Sequence, residues 1–229
     1  MLSIQNVCKA YPGSPFELRD LNFQMRAGEV LFITGHSGAG KSTLLRMLGQ
    51  LEGVDLGEIY FFGVPISKVP KRQMPYYRRL LGMVFQDHQL LLERNVFDNV
   101  ALPLGVAGVE PDLIKRCVRQ ALAKVGLAGR ETYFPSQLST GQQQRVGIAR
   151  AIVHQPKLIL ADEPTGNLDP DLSLEIMSLF QQIASSGTSV IVATHDISLV
   201  TRFAKRLLHL SRGHLMNAET ETHELGVTA

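Results

Sequence analysis

A glycine-rich segment followed by a lysine and two hydroxyl residues carries the clearest chemistry in the sequence. It consists of Gly35, His36, Ser37, Gly38, Ala39, Gly40, Lys41, Ser42 and Thr43. The segment fits the pattern G-x-x-x-x-G-K-[ST] at every fixed position. Its glycines let several backbone N–H groups converge on phosphate oxygens, and a helix that begins at Lys41 adds the positive end of its dipole. In such a loop Lys41 bridges the β- and γ-phosphates, and the Ser42 hydroxyl binds Mg²⁺. Thr43 is expected near the α-phosphate, so the segment predicts a nucleoside triphosphate site.

An acidic pair after an apolar run is the second chemical signal. Asp162 and Glu163 follow Leu158–Ala161. An acid at the end of a buried strand lies at the carboxyl edge of the sheet, where open α/β sheets bind ligands. Alone, such a pair is more often a capped strand end. Together with the phosphate loop, it predicts that Asp162 holds Mg²⁺ and that Glu163 orients or deprotonates an attacking water.

The segments around the phosphate loop read as short strands. The run Val30–Ile33 is continuously apolar, as expected of a buried central strand, and it leads directly into the loop. A helix is expected from Lys41 to about Leu51. The other predicted strands in this half of the chain cover residues 2–8, 16–25, 58–62 and 81–85.

The middle of the chain changes to helical periodicity before strands return. Helices are predicted near residues 96–106, 111–125 and 141–154. The later elements are predicted strands at 158–161, 189–193, 206–210 and 214–216, and predicted helices at 172–185 and 197–203. This alternation implies an α/β fold with a mostly parallel sheet covered on both faces. We expect one domain over residues 1–216, with a helical subdomain inserted at about 88–155, and a flexible tail over 217–229.

Composition limits the classes of function. The 229 residues carry a net charge of +2, which gives no bulk electrostatic reason for nucleic-acid binding, and no nucleic-acid partner is expected. A basic cluster formed by Lys71, Arg72, Arg78 and Arg79 either touches phosphates or anionic lipid, or is a solvated helix face.

Cysteine usage and hydropathy favour a cytosolic chain. Cys8 and Cys117 lie far apart in no metal-ligand spacing, which fits a reducing compartment. Met1 opens directly onto a strand pattern without a signal segment, and no apolar run approaches the ~20 residues of a membrane span. Any contact with a membrane is therefore expected to be peripheral.

Residues Leu138–Arg145 connect these motifs to a known family. They read Leu-Ser-Thr-Gly-Gln-Gln-Gln-Arg and resemble the L-S-G-G-Q signature of ABC ATPases, which lies shortly before the acidic strand in that family. In that family the segment binds the γ-phosphate of ATP held by the opposite subunit. The resemblance assigns this role to Ser139, Gly141 and Gln142. Thr140 departs from the usual glycine, which puts the rate of turnover in question.

Four further residues match the family at single positions. Gln86 resembles the Q-loop glutamine, which reaches Mg²⁺ or the attacking water, and Asp169 resembles the D-loop aspartate at the dimer interface. His195 resembles the switch histidine that contacts the γ-phosphate. Tyr11, in a turn, resembles the aromatic residue that stacks on adenine.

The resemblance covers residues 1 to about 216 and implies a P-loop NTPase fold of the ABC type. That fold has a RecA-like, mostly parallel core sheet, an N-terminal antiparallel β subdomain and an inserted helical subdomain. The implied activity is hydrolysis of ATP with Mg²⁺ by a homodimer that closes around two ATP molecules. The implied partner is a separate integral membrane protein at the cytoplasmic face of the inner membrane. It is expected to dock near Asp87–Phe97; the alternative is that the leucines of this segment form part of the core of the helical subdomain.

Within the family, Asn99–Leu104 and Gly166–Asp169 resemble a subgroup of lipoprotein-release, macrolide-efflux and cell-division ATPases. His36, Phe85–Leu91 and Arg145–Ala151 are most similar to its cell-division members, which control peptidoglycan hydrolases. Thr140, Gln142 and the tail fit those members less closely. The other two branches, and a soluble ABC ATPase without a membrane partner, stay as alternatives.

Overall fold

A computed structural model describes residues 1–11, 13 and 17–216 of the chain. The strands in chain order are β1 Leu2–Ala10, β2 Glu17–Met25, β3 Val30–Thr34, β4 Leu56–Phe61, β5 Val64–Pro65, β6 Leu81–Val84, β7 Leu158–Asp162, β8 Ser189–Ala193, β9 Leu207–Ser211 and β10 His214–Met216. The helices are α1 Lys41–Leu48, α2 Met74–Arg78, α3 Val96–Val106, α4 Pro111–Lys124, α5 Thr140–Ile152, α6 Pro170–Ser185 and α7 Ile197–Phe203.

A six-stranded sheet forms the centre of the fold, in the order β10-β9-β3-β8-β7-β6. Strands β3, β6, β7, β8 and β9 run parallel, and β10 pairs with β9 in the antiparallel direction. Alternate residues of β3 face opposite sides, with Leu31 and Ile33 in one hydrophobic cluster and Phe32 in the other. Both faces are covered, which explains why these strands are almost entirely apolar. The predicted α/β class is therefore confirmed.

A smaller antiparallel sheet, in the order β2-β1-β4-β5, forms from the N-terminal strands. Its apolar side packs into the hydrophobic cluster that also contains α1 and one face of the central sheet. This arrangement confirms the predicted antiparallel β part of the fold, and the same cluster includes Ala39 of the phosphate loop.

Helices α3, α4 and α5 follow one another in the middle of the chain. They pack together in the second hydrophobic cluster, which they share with α6, α7 and the other face of the central sheet. Because α5 also packs against β6, it connects the middle helices to the strand that ends beside Gln86.

The boundaries differ from the sequence prediction at a few points. Helix α1 ends at Leu48 instead of about Leu51, because Gly49 caps it and Gln50 adopts a left-handed backbone with φ of 52°. Helix α6 begins two residues earlier than predicted, since Asp169 accepts a hydrogen bond from the N–H of Leu172 and Pro170 fits the first helical turn. Two 3₁₀ turns and α2 occupy residues 66–78, where no element was predicted.

Cys8 and Cys117 are both free thiols. No helix within residues 1–11, 13 and 17–216 is both long enough and apolar enough to cross a bilayer. The predicted tail over 217–229, and part of the predicted turn after Tyr11, lie outside the described residues.

Candidate functional site

The phosphate loop lies between the end of β3 and the start of α1, at the carboxyl edge of the central sheet. Gly35 has no room for a side chain, because a Cβ there would come within 2.2 Å of the Leu210 carbonyl oxygen. Gly40 caps α1 in a left-handed conformation with φ of 105°. These two glycines allow the backbone to turn tightly before the helix, so that the loop lies at the N-terminal, positive end of the α1 dipole.

Lys41 lies at the centre of the site and is 7% exposed. Its ammonium group donates a hydrogen bond of 2.9 Å to the Gly35 carbonyl and lies 3.4 Å from Glu163 Oε1. A buried cation needs such partners because burial without them is costly. The same ammonium group can donate hydrogen bonds to phosphate oxygens of a nucleotide bound in the loop.

Asp162 ends β7 beside Ser42 and Lys41. Burial raises the pKa of its carboxyl group, and the neighbouring Ser42 hydroxyl and Lys41 ammonium offset part of that rise. Its Oδ1 is buried without a hydrogen-bond partner among the described residues. A carboxylate oxygen left unpaired next to a hydroxyl is a donor set that suits Mg²⁺, so the residues fit the metal predicted from the sequence.

Glu163 follows Asp162 with a left-handed backbone, at φ of 45°. This conformation is strained for a residue with a side chain, and such strain is typical of functional sites. Its N–H donates to the Ala193 carbonyl at 2.9 Å, which ties the turn to the end of β8. Its carboxylate lies 2.9 Å from His195 Nδ1 and accepts a 3.3 Å bond from the His195 N–H. The carboxylate is thus held between His195 and Lys41.

Gln86 follows β6 and lies against the turn after Glu163. Its side-chain amide would be 3.1 Å from a Cβ placed at Gly166, and its carbonyl accepts a 3.3 Å bond from Asn167. The structure therefore places Gln86 beside the segment that leads from the acidic pair to Asp169.

The predicted signature residues lie at the start of α5. Ser139 Oγ accepts a bond from the N–H of Gln142, and Gln142 Oε1 accepts one from the N–H of Ser139, which together make a capping box. Gly141 packs so closely on Leu172 of α6 that a Cβ would be 2.9 Å from Leu172 Cδ1. The N-termini of α5 and α6, with Ser139 and Asp169 as their caps, are therefore neighbours.

Tyr11 lies near the start of α1 and beside Thr43, which hydrogen-bonds its hydroxyl. Its hydroxyl donates a 2.6 Å hydrogen bond to Glu52, and the Lys9 ammonium lies 5.5 Å from its ring centroid. Burial, and then Glu52, raise the pKa of Tyr11. The proposed stacking of Tyr11 on adenine stays a prediction.

The cluster of Lys41, Ser42, Asp162, Glu163 and His195 is thus assembled from the ends of β3, β7 and β8. Ser139, Gln142 and Asp169 form their hydrogen bonds locally in the described chain, away from that cluster. The sequence analysis assigned no individual role to four residues whose buried or half-buried hydrogen bonds connect the segment after Gln86 to α3 and α5, and α5 to the turn after Glu163: His88, Asn99, Gln144 and Arg150. Contacts such as His88 with Gln144, 56 positions apart, leave no local pattern to find.

Comparisons with known proteins agree with this geometry. The family model described as ABC transporter matches residues 18–166. The chain is 51% identical over 215 residues to the cell division ATP-binding protein FtsE of Escherichia coli K12, covering 94% of this chain and 97% of that protein. It is 40% identical over 220 residues to FtsE of Bacillus subtilis 168, with 96% of each covered. Among solved structures, a dimeric post-hydrolysis state of the ATP-binding cassette MJ0796 bound to ADP and Pi matches with a TM-score of 0.87 at 33% identity. That match covers 98% of this chain and 100% of the other.

The fold and site therefore define an ATP-hydrolysing P-loop protein of the ABC class. The chain belongs to the ABC transporter family of ATP-binding proteins and, over almost its whole length, to the FtsE branch of that family. This confirms the family, the fold and the ATPase activity that were predicted from the sequence.

Proposed function

We propose that the chain is the Mg²⁺-dependent ATPase subunit of an FtsE-type cell-division complex. Two copies close around two ATP molecules, and the movement acts on a separate FtsX-like membrane protein at the cytoplasmic face of the inner membrane. In this way ATP turnover controls peptidoglycan hydrolysis. The observation that carries the catalytic part is Glu163 Oε1, which lies 3.4 Å from Lys41 Nζ and 2.9 Å from His195 Nδ1 at the mouth of the phosphate loop.

Each of these side chains has one task in the proposed reaction. Lys41 moves from the Gly35 carbonyl to the β- and γ-phosphates and neutralises their charge. Glu163 accepts the proton of the attacking water, and His195 orients the Glu163 carboxylate and contacts the γ-phosphate. Gln86 positions the water from the neighbouring strand.

Ser42, Asp162 and Gln86 supply oxygen ligands for the metal. Support comes from the unpaired Asp162 Oδ1 and from the Ser42 hydroxyl beside it. When bound there, Mg²⁺ would supply positive charge that stabilises the negative charge developing on the phosphate oxygens.

The homodimer brings the second set of residues to the site. Ser139, Gly141 and Gln142 of one copy contact the γ-phosphate held by the other, and Asp169 lies at the interface. Support comes from the exposure of Ser139 and Asp169 at adjacent helix N-termini, which favour an anion. Dimeric structures of MJ0796 also have the same fold as this chain.

Phosphate release by Glu163→Gln tests the catalytic part. We expect ATP affinity close to wild type and turnover at least about 100-fold lower, because the amide cannot accept the proton of the water. Glu175→Gln is the matched control, since this exposed carboxylate pairs with Arg145 on the surface. Turnover near wild type in Glu163→Gln would contradict the assignment.

The docking segment Asp87–Phe97 is the proposed contact with the membrane partner. Leu91 and Leu92 are exposed within it. Beside the segment lies a cleft of about 570 Å³ between α3 and α4, lined by apolar side chains that include Phe97, Leu102 and Ile114. A contiguous apolar surface of this kind favours a protein partner.

Capture from detergent-solubilised membranes tests this partner. Tagged Glu163→Gln with ATP should retain a membrane protein of the FtsX type, and adding Leu92→Asp should reduce the retained amount. Leu56→Asp is the matched control, because Leu56 and Leu92 are both 67% exposed but Leu56 lies in β4. A lipoprotein-release or efflux permease would overturn the division role and keep the ATPase. If no membrane protein is captured, the result would favour the alternative of a soluble ABC ATPase without a membrane partner.

A further inference from the structure

A buried side-chain bridge connects the docking segment to the catalytic turn. Gln144 of α5 is 0% exposed, and its Nε2 donates a 2.7 Å hydrogen bond to the carbonyl of Pro164, the residue after Glu163. Its Oε1 is hydrogen-bonded to Nδ1 of His88, two residues after Gln86. One side chain therefore contacts both segments at once.

The direction of both bonds follows from their acceptors. The Pro164 carbonyl only accepts, so the amide nitrogen of Gln144 faces it and the amide oxygen faces His88. Nδ1 of His88 therefore carries a proton and donates to Gln144. Both amide atoms of Gln144 therefore have a hydrogen-bond partner. A buried polar network whose members are all hydrogen-bonded keeps the neighbouring segments in a single arrangement.

Helix α5 also fixes the shape of the docking segment at its start. Arg150 donates 2.7 Å bonds to the carbonyls of both His88 and Gln89. These two residues have left-handed backbones, with φ of 59° and 46°. A strained turn held by charged donors has few alternative shapes, so a shift of α5 relative to the catalytic turn moves the docking segment with it.

We propose that Gln144 and His88 are positioning residues that couple the docking segment to the catalytic turn, through the chain His88–Gln144–Pro164. The link acts on Glu163 through the backbone of Pro164, the next residue in the chain. The inference deepens the proposed function and rests on it, since it takes Asp87–Phe97 as the docking segment. Nucleotide binding and partner docking then bias each other, as any coupling between two sites requires.

A fluorescent reporter in the docking segment tests the link in the full chain. The sequence contains no Trp, so Leu92→Trp gives one indole at an exposed position. We expect adenylyl imidodiphosphate with Mg²⁺ to shift its emission. Adding Gln144→Leu should reduce the amplitude of that shift at least about fivefold, while nucleotide affinity stays within about threefold.

Two further variants separate coupling from a loss of packing. Gln143→Leu is the matched control, because this neighbour on α5 bonds the Pro135 and Leu138 carbonyls instead, and it should leave the emission shift unchanged. His88→Leu should reproduce the effect of Gln144→Leu. His88→Asn should restore the shift, since an Asn amide places a donor near the position of Nδ1. If Gln144→Leu does not fold, the comparison of His88→Leu with His88→Asn tests the proposal.

An undiminished emission shift in Gln144→Leu or His88→Leu would overturn the proposal, and so would a parent Leu92→Trp protein that binds nucleotide without any shift. Failure of the parent to bind nucleotide would instead count against the proposed function. The two failures are thus distinguishable in one titration.

Discussion

At the scale of single residues, the site is a set of charges that neutralise one another until nucleotide arrives. Lys41 is partnered by the Gly35 carbonyl and by Glu163, and Glu163 is also held by His195. In the proposed reaction, phosphate oxygens compete for Lys41, and the Glu163 carboxylate is then released to act on water. Lys41 and Glu163 could be singled out from the sequence, because the phosphate loop and the acidic pair are each contiguous motifs.

Lys41→Ala tests the phosphate contact directly. We expect ATP binding to be lost at concentrations that saturate the wild type. Hydrogen bonds to charged groups contribute about 1.5–3 kcal/mol each, and two such bonds correspond to about a hundredfold or more in affinity. Lys124→Ala is the control, since Lys124 is an exposed residue at the end of α4. Unchanged affinity of Lys41→Ala in a binding titration would refute the role of this lysine.

Thr140→Gly tests the departure from the family signature. Thr140 is exposed at the first position of α5, directly after the cap Ser139. Its branched side chain lies where the other copy presents phosphate in the proposed dimer. We expect faster steady-state phosphate release from the glycine variant. An unchanged rate would show that Thr140 does not limit closure.

At the scale of elements, α5 packs closely against strand β6 of the central sheet. Gly82 of β6 has no room for a side chain, because a Cβ there would lie 2.3 Å from the Ala151 carbonyl oxygen of α5. This close approach brings the signature helix against the strand that leads to Gln86. The structural reason for Gly82 was not visible in the sequence, where it is one small residue within an apolar run.

Gly82→Ala should therefore destabilise the protein. Overpacking against a backbone atom costs about 2–3 kcal/mol, which corresponds to a fall in Tm of about 4–12 °C for a domain of this size. Gly105→Ala is the matched control, since a Cβ there meets nothing within 4 Å and α3 gains a better helix former. Equal Tm values for the two variants would contradict the close packing.

The elements that were predicted well are those with a clear period or a cap. Strand β3 was predicted because its residues form a continuous apolar run, and helix α7, which Asp196 caps, has the predicted bounds 197–203. The segment with Pro65, Pro70 and Pro75 was missed, since closely spaced prolines erase helical periodicity although each begins a short turn. The bridge through His88 and Gln144 could not be predicted, because only the packing of α5 brings those residues together.

At the scale of the whole molecule, the proposed site residues of the described chain form two separate groups. The proposed catalytic group surrounds Lys41, and the signature group surrounds Ser139. His195 is on the exposed side of the cluster, with 67% of its side chain accessible. In the proposed mechanism a second copy, turned to face the first, brings the signature group of each copy to the nucleotide site of the other.

The most direct measurement is the molar mass of Glu163→Gln in solution, determined by light scattering with ATP and Mg²⁺. We expect a mass twice that of the single chain with ATP. We expect the single-chain mass with ADP, and also with ATP when Ser139→Arg is added to block contact with the phosphate held by the other copy. A single-chain mass at saturating ATP would contradict the shared site, and so would an ATP-dependent dimer that Ser139→Arg leaves unchanged.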